Sequence, residues 1–208
     1  NGKVYGVDMT DEQLKIARQF IEYHQDKNNY SKTNVEFYNG YIDKLYELDI
    51  PSDSVDVIVS NCVVNLTPDK EVVFRQVYDL LKEGGEFYFS DVYSSRRISQ
   101  ELQEDSVLWG ECLSGALYWN DFLNLAKKCG FTDPRLVTSK PITVNNAKLQ
   151  EKLGDIEFYS ATYRLFKLPD LEPDCEDYGH TVTYLGTIPN HEAHWDLDSH
   201  HRFNKGEE

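Results

Sequence analysis

Basic charge is scarce in this chain. Its 208 residues carry 21 Lys and Arg against 36 Asp and Glu, a formal net charge of −15. That balance disfavours nucleic acid or an anionic membrane surface as partner, because every contact would work against a repulsive field. Cysteine is scarce too: four residues, none in a CxxC pair, too few for a disulfide scaffold. A reducing, cytoplasmic setting is the expectation. No apolar run reaches the roughly 18 residues that cross a bilayer, and no basic-then-apolar signal segment opens the chain. An opening Met is also missing. Asn1-Gly2-Lys3 leads at once into the apolar Val4-Tyr5-Gly6-Val7, so the chain reads as a fragment whose first strand precedes Asn1. Apolar residues (40%) and aromatics (13%) are present in quantity. They suffice for the core of one domain with a small appendage.

Val4 to Val7 reads as a short buried strand. Thr10 is placed to cap a helix that runs to 26–29, with Gln13 at capping-box spacing and Leu14, Ala17 and Ile21 on its apolar face. Val35 to Tyr38 is a second strand, closed by Asn39-Gly40. Val55 to Ser60 is β-branched and nearly continuous, which suits a central parallel strand. Thr67 and Pro68 are positioned to open the next helix, and Gly84-Gly85 to stop it before a strand from Glu86 that ends at Asp91. Such alternation predicts an α/β, doubly wound, Rossmann-like sheet. The chain parcels into a core (1–92), an aperiodic insertion (93–119), the remainder of the sheet with a helix around Phe122 and Ala126 (120–168), and a small acidic, His-rich appendage (169–208).

Ligands in such sheets sit outside the carboxyl ends of the strands. Asp8 stands there. Its carboxylate is suited to accept both hydroxyls of a ribose, or else is a solvated first-turn Asp favoured by the helix dipole. Tyr41 and Ile42, after Gly40, form either an apolar wall for an adenine or ordinary loop packing. Asn61 and Asn65 straddle Cys62, and Asn at a strand end commonly bonds its own loop. Cys129 lies on an apolar helical stripe and reads as core; Cys175 lies in an acidic loop and reads as an exposed thiol. Cys62 is placed where the sheet opens, and Cys112 in the insertion expected to cover it. Two thiols converging there would grip a soft, thiophilic centre; the alternative is two unpaired buried thiols. Glu111 beside Cys112 opposes an activated nucleophile, since a neighbouring negative charge raises a thiol pKa. His191-Glu192-Ala193-His194 has the wrong spacing for a zinc helix, and the His-rich stretch reads as a solvated tail.

Several stretches resemble one family. Val7-Asp8-Met9-Thr10, Gly40-Tyr41-Ile42, Ser60-Asn61-Cys62-Val63-Val64-Asn65-Leu66, Gly85 to Tyr93, Leu108-Trp109-Gly110-Glu111-Cys112-Leu113 and Gly115 to Trp119 are similar to the arsenite methyltransferases, of the class I methyltransferase superfamily. The likeness runs through Phe166-Lys167 and more weakly into the tail. It implies transfer of a methyl group from S-adenosylmethionine to thiol-bound trivalent arsenic. Cys62 and Cys112 would hold As(III). Asp8 would take the ribose hydroxyls and Met9 flank the adenine, with Gly40, Tyr41 and Ile42 around the base and Asn61 near the cofactor. It further implies a small arsenical substrate carried as a thiol conjugate, a glutathione- or thioredoxin-type reductant and a monomeric enzyme. The family's glycine-rich cofactor loop and upstream cysteines do not appear, so the segment alone is expected to be inactive. Two other readings stand beside this one: a class I methyltransferase of another small metabolite, and a non-catalytic metalloid-binding thiol module.

Overall fold

The computed structural model describes residues 2–173 and 177–208; Cys175 lies outside them. The chain divides into two compact units, Asn1–Pro51 and Ser52–Glu208.

The first unit holds a parallel pair, β1 (Val4–Asp8) and β2 (Val35–Asn39), in register from Val4 opposite Val35 to Asp8 opposite Asn39. Between them run α1 (Asp11–Gln19) and α2 (Ile21–Lys27), interrupted at Phe20, where a single helix was expected. Thr10 does occupy the N-cap position, but its side chain makes no capping bond. The Asp8 carboxylate accepts the Thr10 N–H instead, at 2.7 Å. A 3-10 turn over Ile42–Glu47 follows β2.

The second unit is built on a mixed sheet in the order β3 (Val55–Asn61), β4 (Leu81–Ser94), β7 (Phe158–Phe166), β6 (Arg135–Ile142), with β5 (Leu117–Tyr118) also paired to β4. Strands β3 and β4 are parallel, while β7 is antiparallel to both β4 and β6. Val55 to Ser60 therefore forms an edge strand of this sheet, not a central one, and Val57 and Val59 are 53% and 71% exposed. Pro141 sits in the opposite edge strand, the part of a sheet where proline is usually confined. Helix α3 (Lys70–Leu80) starts two residues later than Thr67-Pro68 suggested: Asp69 is the cap and accepts the Val72 N–H at 3.2 Å. Gly84, at φ 79°, turns the chain into the body of β4, and its N–H reaches Lys167 O at 2.8 Å.

Alternation along β4 sends residues to two cores. Phe87, Phe89 and Tyr93 join Phe74 of α3, Phe131, Tyr163 of β7 and Phe122 of α6 (Trp119–Lys128) in a buried aromatic cluster with ring centroids 4.6–6.4 Å apart. Val92 faces the other way, toward Ile98, Leu108, Leu113, Ala116, Leu153 and Phe158. That second core belongs largely to the insertion. Its short helices α4 (Gln100–Gln103) and α5 (Ser106–Gly110) are capped by Ser99 and Asp105, and α7 (Ala147–Leu153) by Asn146.

The acidic tail is ordered where it is described. Strands β8 (His194–Asp196) and β9 (Arg202–Asn204) form a hairpin, and the Arg164 guanidinium donates to Leu197 O at 3.2 Å. Buried Asp198 accepts from the backbone N–H groups of His200 and His201 and meets Arg135 at 3.4 Å.

Phe74 touches four aromatic rings at zero exposure, so Phe74→Ala should cost about 3–5 kcal/mol. Urea unfolding checks this. A loss below about 1 kcal/mol would mean the cluster collapses around the void.

Candidate functional site

In the first unit the strand ends carry the predicted cofactor residues. Asp8 is exposed at the end of β1. One carboxylate oxygen is used by Thr10, and the other has no partner among the described residues. Met9 and Tyr41 are 63% and 53% exposed; Gly40 and Ile42 are half-buried. The Gly40 N–H bonds Asp8 O at 3.0 Å, tying the two strand ends together.

In the second unit the structure brings Cys62 and Cys112 together. The Cys112 thiol lies 4.0 Å from the Cys62 carbonyl oxygen. Both cysteines are free; Cys62 is exposed and Cys112 half-buried. Both have left-handed backbone, at φ 54° and 58°, a conformation uncommon in residues other than glycine. At Cys112 the cause is visible. It directly follows the C-cap of α5, its N–H bonds Trp109 O at 3.0 Å, and the Leu113 N–H bonds Leu108 O at 2.9 Å. That is the Schellman pattern, with cysteine in the place glycine usually takes. At Cys62 the chain leaves β3, its N–H held by Ser90 O at 2.9 Å.

Asp91 secures this corner. It is 1% exposed, inside β4 just before Val92 and Tyr93. Its oxygens accept the N–H groups of Val92 at 2.8 Å and Asn65 at 3.1 Å. Burial pushes its pKa up to about 6, against the opposing pull of those donors, of Lys70 and of the Val64 N–H. Burial in turn lowers the Lys70 pKa, which Asp91 and Asp69 counter. The Cys62 thiol is raised by burial and then by the Asp91 charge; the Cys112 thiol by burial, then Asp91, Cys62 and Glu111. Both shifts favour the neutral thiol.

The asparagines divide. Asn61 bonds within its own loop, accepting from the Cys62 thiol at 3.5 Å. Asn65 does not: buried, it donates its side-chain amide to Val92 O at 2.6 Å, 27 residues away. The strand expected to end at Asp91 runs on to Ser94, so Asp91 is a carboxylate inside an apolar strand, which is itself a signal. The part played by Gly115, which packs on the Asn65 backbone, left no mark in the sequence pattern. Cys129 is buried, as its helical stripe implied. Among the described residues no group of three or more His, Cys, Asp or Glu could hold a metal ion. The His191 ring packs on Trp195, and His201 bonds Asp198 at 2.9 Å.

Residues 1–130 match the family model described as a methyltransferase domain. The structure superposes on that of an arsenic(III) S-adenosylmethionine methyltransferase from Chlamydomonas reinhardtii with a TM-score of 0.93 at 48% identity, covering 99% of this chain and 69% of that one. The chain belongs to the arsenite methyltransferase family. Arsenite methyltransferases from Aquipseudomonas alcaligenes and Rattus norvegicus are 57% and 49% identical to it over 99% of its length. The chain spans 59% and 55% of those two relatives. A protein from Bacillus subtilis, at 14% identity and a TM-score of 0.57, shares the fold. The α/β methyltransferase sheet expected of this family is the sheet observed.

Two outcomes follow from the geometry. At φ 58°, Cys112→Gly should be more stable than Cys112→Ala by roughly 1 kcal/mol, because only alanine keeps the left-handed penalty; equal unfolding midpoints would remove the strain argument. Asp91 binds its proton more tightly folded than unfolded, so its contribution to stability falls as pH rises from about 4 to about 6. The wild type minus Asp91→Asn stability difference, followed by urea unfolding across that window, should decline with pH. A flat difference would place the Asp91 pKa near its usual value.

Proposed function

We propose that this chain contributes to S-adenosylmethionine-dependent methylation of thiol-bound trivalent arsenic. The observation that carries the reading is the convergence of Cys62 and Cys112, fifty positions apart, into one exposed corner. The names of the relatives support it.

The substrate would be a small arsenical, delivered as a thiol conjugate. A thiol condenses with an arsenic hydroxyl, or exchanges with a bound thiol, to form a sulfur–arsenic bond. The thiol proton leaves with the hydroxyl as water or passes to the departing thiolate. Each thiol gives up its proton as its sulfur–arsenic bond forms. Thiol ligands favour such soft centres. The arsenic lone pair is the nucleophile and carries no proton, which removes the need for a general base. Most of the rate advantage would then come from orientation, worth roughly 7–11 kcal/mol in well-aligned systems.

Bound S-adenosylmethionine supplies a methyl group on a sulfonium sulfur. Asp8 would hold the ribose hydroxyls, and its unpartnered oxygen at a strand end fits that demand. Met9, Gly40, Tyr41 and Ile42 would enclose the adenine, Met9 and Tyr41 offering exposed apolar surface for it; Asn61 would lie near the cofactor. Trp109 to Tyr118 would exclude water from the arsenic. A thiol reductant of glutathione or thioredoxin type would restore the cysteines, and the enzyme would act as a cytoplasmic monomer. No described helix is long and apolar enough to cross a membrane.

In the full-length protein, Cys62→Ser and Cys112→Ser should each lower arsenite methylation at least about a hundredfold. Adenosylmethionine affinity, read by calorimetry, should stay within about threefold of wild type. Normal turnover in either variant ends the proposal. Activity toward another metabolite that ignores both substitutions would favour a methyltransferase of different specificity.

A further inference from the structure

Resting on the thiol-pair reading, we propose that Gly115, Asn65 and Asp91 form a positioning junction that sets the spacing between Cys62 and Cys112.

Each cysteine sits in a loop tied to one side of this junction. The Cys62 loop is bonded to three consecutive residues of β4. The Cys62 N–H reaches Ser90 O at 2.9 Å, the Asn65 N–H reaches the Asp91 carboxylate at 3.1 Å, and the Asn65 amide reaches Val92 O at 2.6 Å. The Cys112 loop is closed on itself. Leu113 and Ser114 both donate to Leu108 O, at 2.9 and 3.1 Å, and Ala116 donates to Leu113 O at 3.1 Å. Gly115 therefore moves with Cys112.

The two loops meet at Gly115 and Asn65. A methyl group on Gly115 would overlap the Asn65 carbonyl oxygen. That obstacle is backbone, pinned by Asp91 and Val92 on one side and buried on the other, so it has no free side-chain torsion by which to yield. The contact lies three residues from each thiol-bearing residue. Any displacement there passes directly to the 4.0 Å approach of the Cys112 sulfur to Cys62 O. A misplacement of about 1 Å can cost on the order of a hundredfold in a reaction that depends on orientation. Gly115 and Asn65 touch no reacting atom on this view; they act through the cysteines.

The test uses the full-length protein and two probes. Phenylarsine oxide needs two thiols at the right distance, whereas iodoacetamide needs one. Gly115→Ala adds bulk at the junction; Asn65→Ala removes the Val92 tie while keeping the backbone N–H that Asp91 accepts. Both should weaken phenylarsine oxide binding at least about tenfold. Iodoacetamide should still alkylate Cys62 and Cys112, followed separately by mass spectrometry, within about threefold of wild-type rates. Wild-type affinity in both variants overturns the proposal, as does an equal loss of both reactions. Loss of cooperative unfolding in both would mean the junction supports the fold and not the spacing, and overturns it too. If wild-type protein fails to bind phenylarsine oxide, or binds it equally well as Cys62→Ser and Cys112→Ser, the thiol-pair reading itself is lost.

Discussion

A carboxylate withdrawn from water must find its solvation in the protein, and the number of donors it finds decides how much charge it can keep. Asp91 finds backbone N–H groups of Val92, Asn65 and Val64, and the distant help of Lys70. This is partial compensation, and its raised pKa records the shortfall. The donors come from different segments, so the charge couples them. The Cys62–Asn65 loop cannot leave the end of β4 without stranding Asp91. The same charge raises both nearby thiols. One buried group thus fixes the loop and, together with burial, favours the neutral form of the thiols beside it.

Two cysteines in left-handed backbone within one corner are a second sign of constraint. Such a conformation costs a residue with a side chain on the order of 1–3 kcal/mol. At Cys112 a Schellman end offers a position where glycine would be the unstrained choice, and a thiol stands there instead. The αL geometry reverses the chain just after α5 and lets the half-buried sulfur approach Cys62 O. Strain of this kind persists only where the surroundings over-determine it. Here they do, through Ser90 O on one cysteine and the Leu108 and Trp109 carbonyls around the other.

The periodic parts of this fold were legible in the sequence. The helical spacing of Val72, Val73, Gln76, Val77, Leu80 and Leu81 marks one face, and all but the exposed Val72 are buried; Phe122 and Ala126 in α6 are buried too. Caps were less legible. Thr67-Pro68 and Asp69 are all competent helix starts, and only tertiary context selects Asp69. Thr10 likewise stands at the N-cap without capping through its side chain, while its own N–H is bound by the Asp8 carboxylate two residues earlier. Val55 to Ser60 reads as a doubly buried strand from composition, yet composition cannot say which neighbours a strand will pair with, and it lies at a sheet edge. The two cysteines were identifiable by their motifs. Their backbone conformation and the junction behind them were not, since one buried carbonyl meeting one glycine, 50 positions apart, has no periodicity to betray it.

Raised thiol pKa values and a net charge of −15 would be poor preparation for a thiolate attacking an anionic substrate. They are compatible with the proposed chemistry, in which the thiol's proton leaves with arsenic's own leaving group and arsenite arrives uncharged. Asp91 adds to burial in favouring the neutral form of both thiols. The Cys112 sulfur reaches to 4.0 Å from Cys62 O, with positive φ at both residues. Acidity and burial, which would handicap a thiolate nucleophile, are no handicap in the proposed chemistry to thiols that give up their protons only as arsenic's leaving group departs.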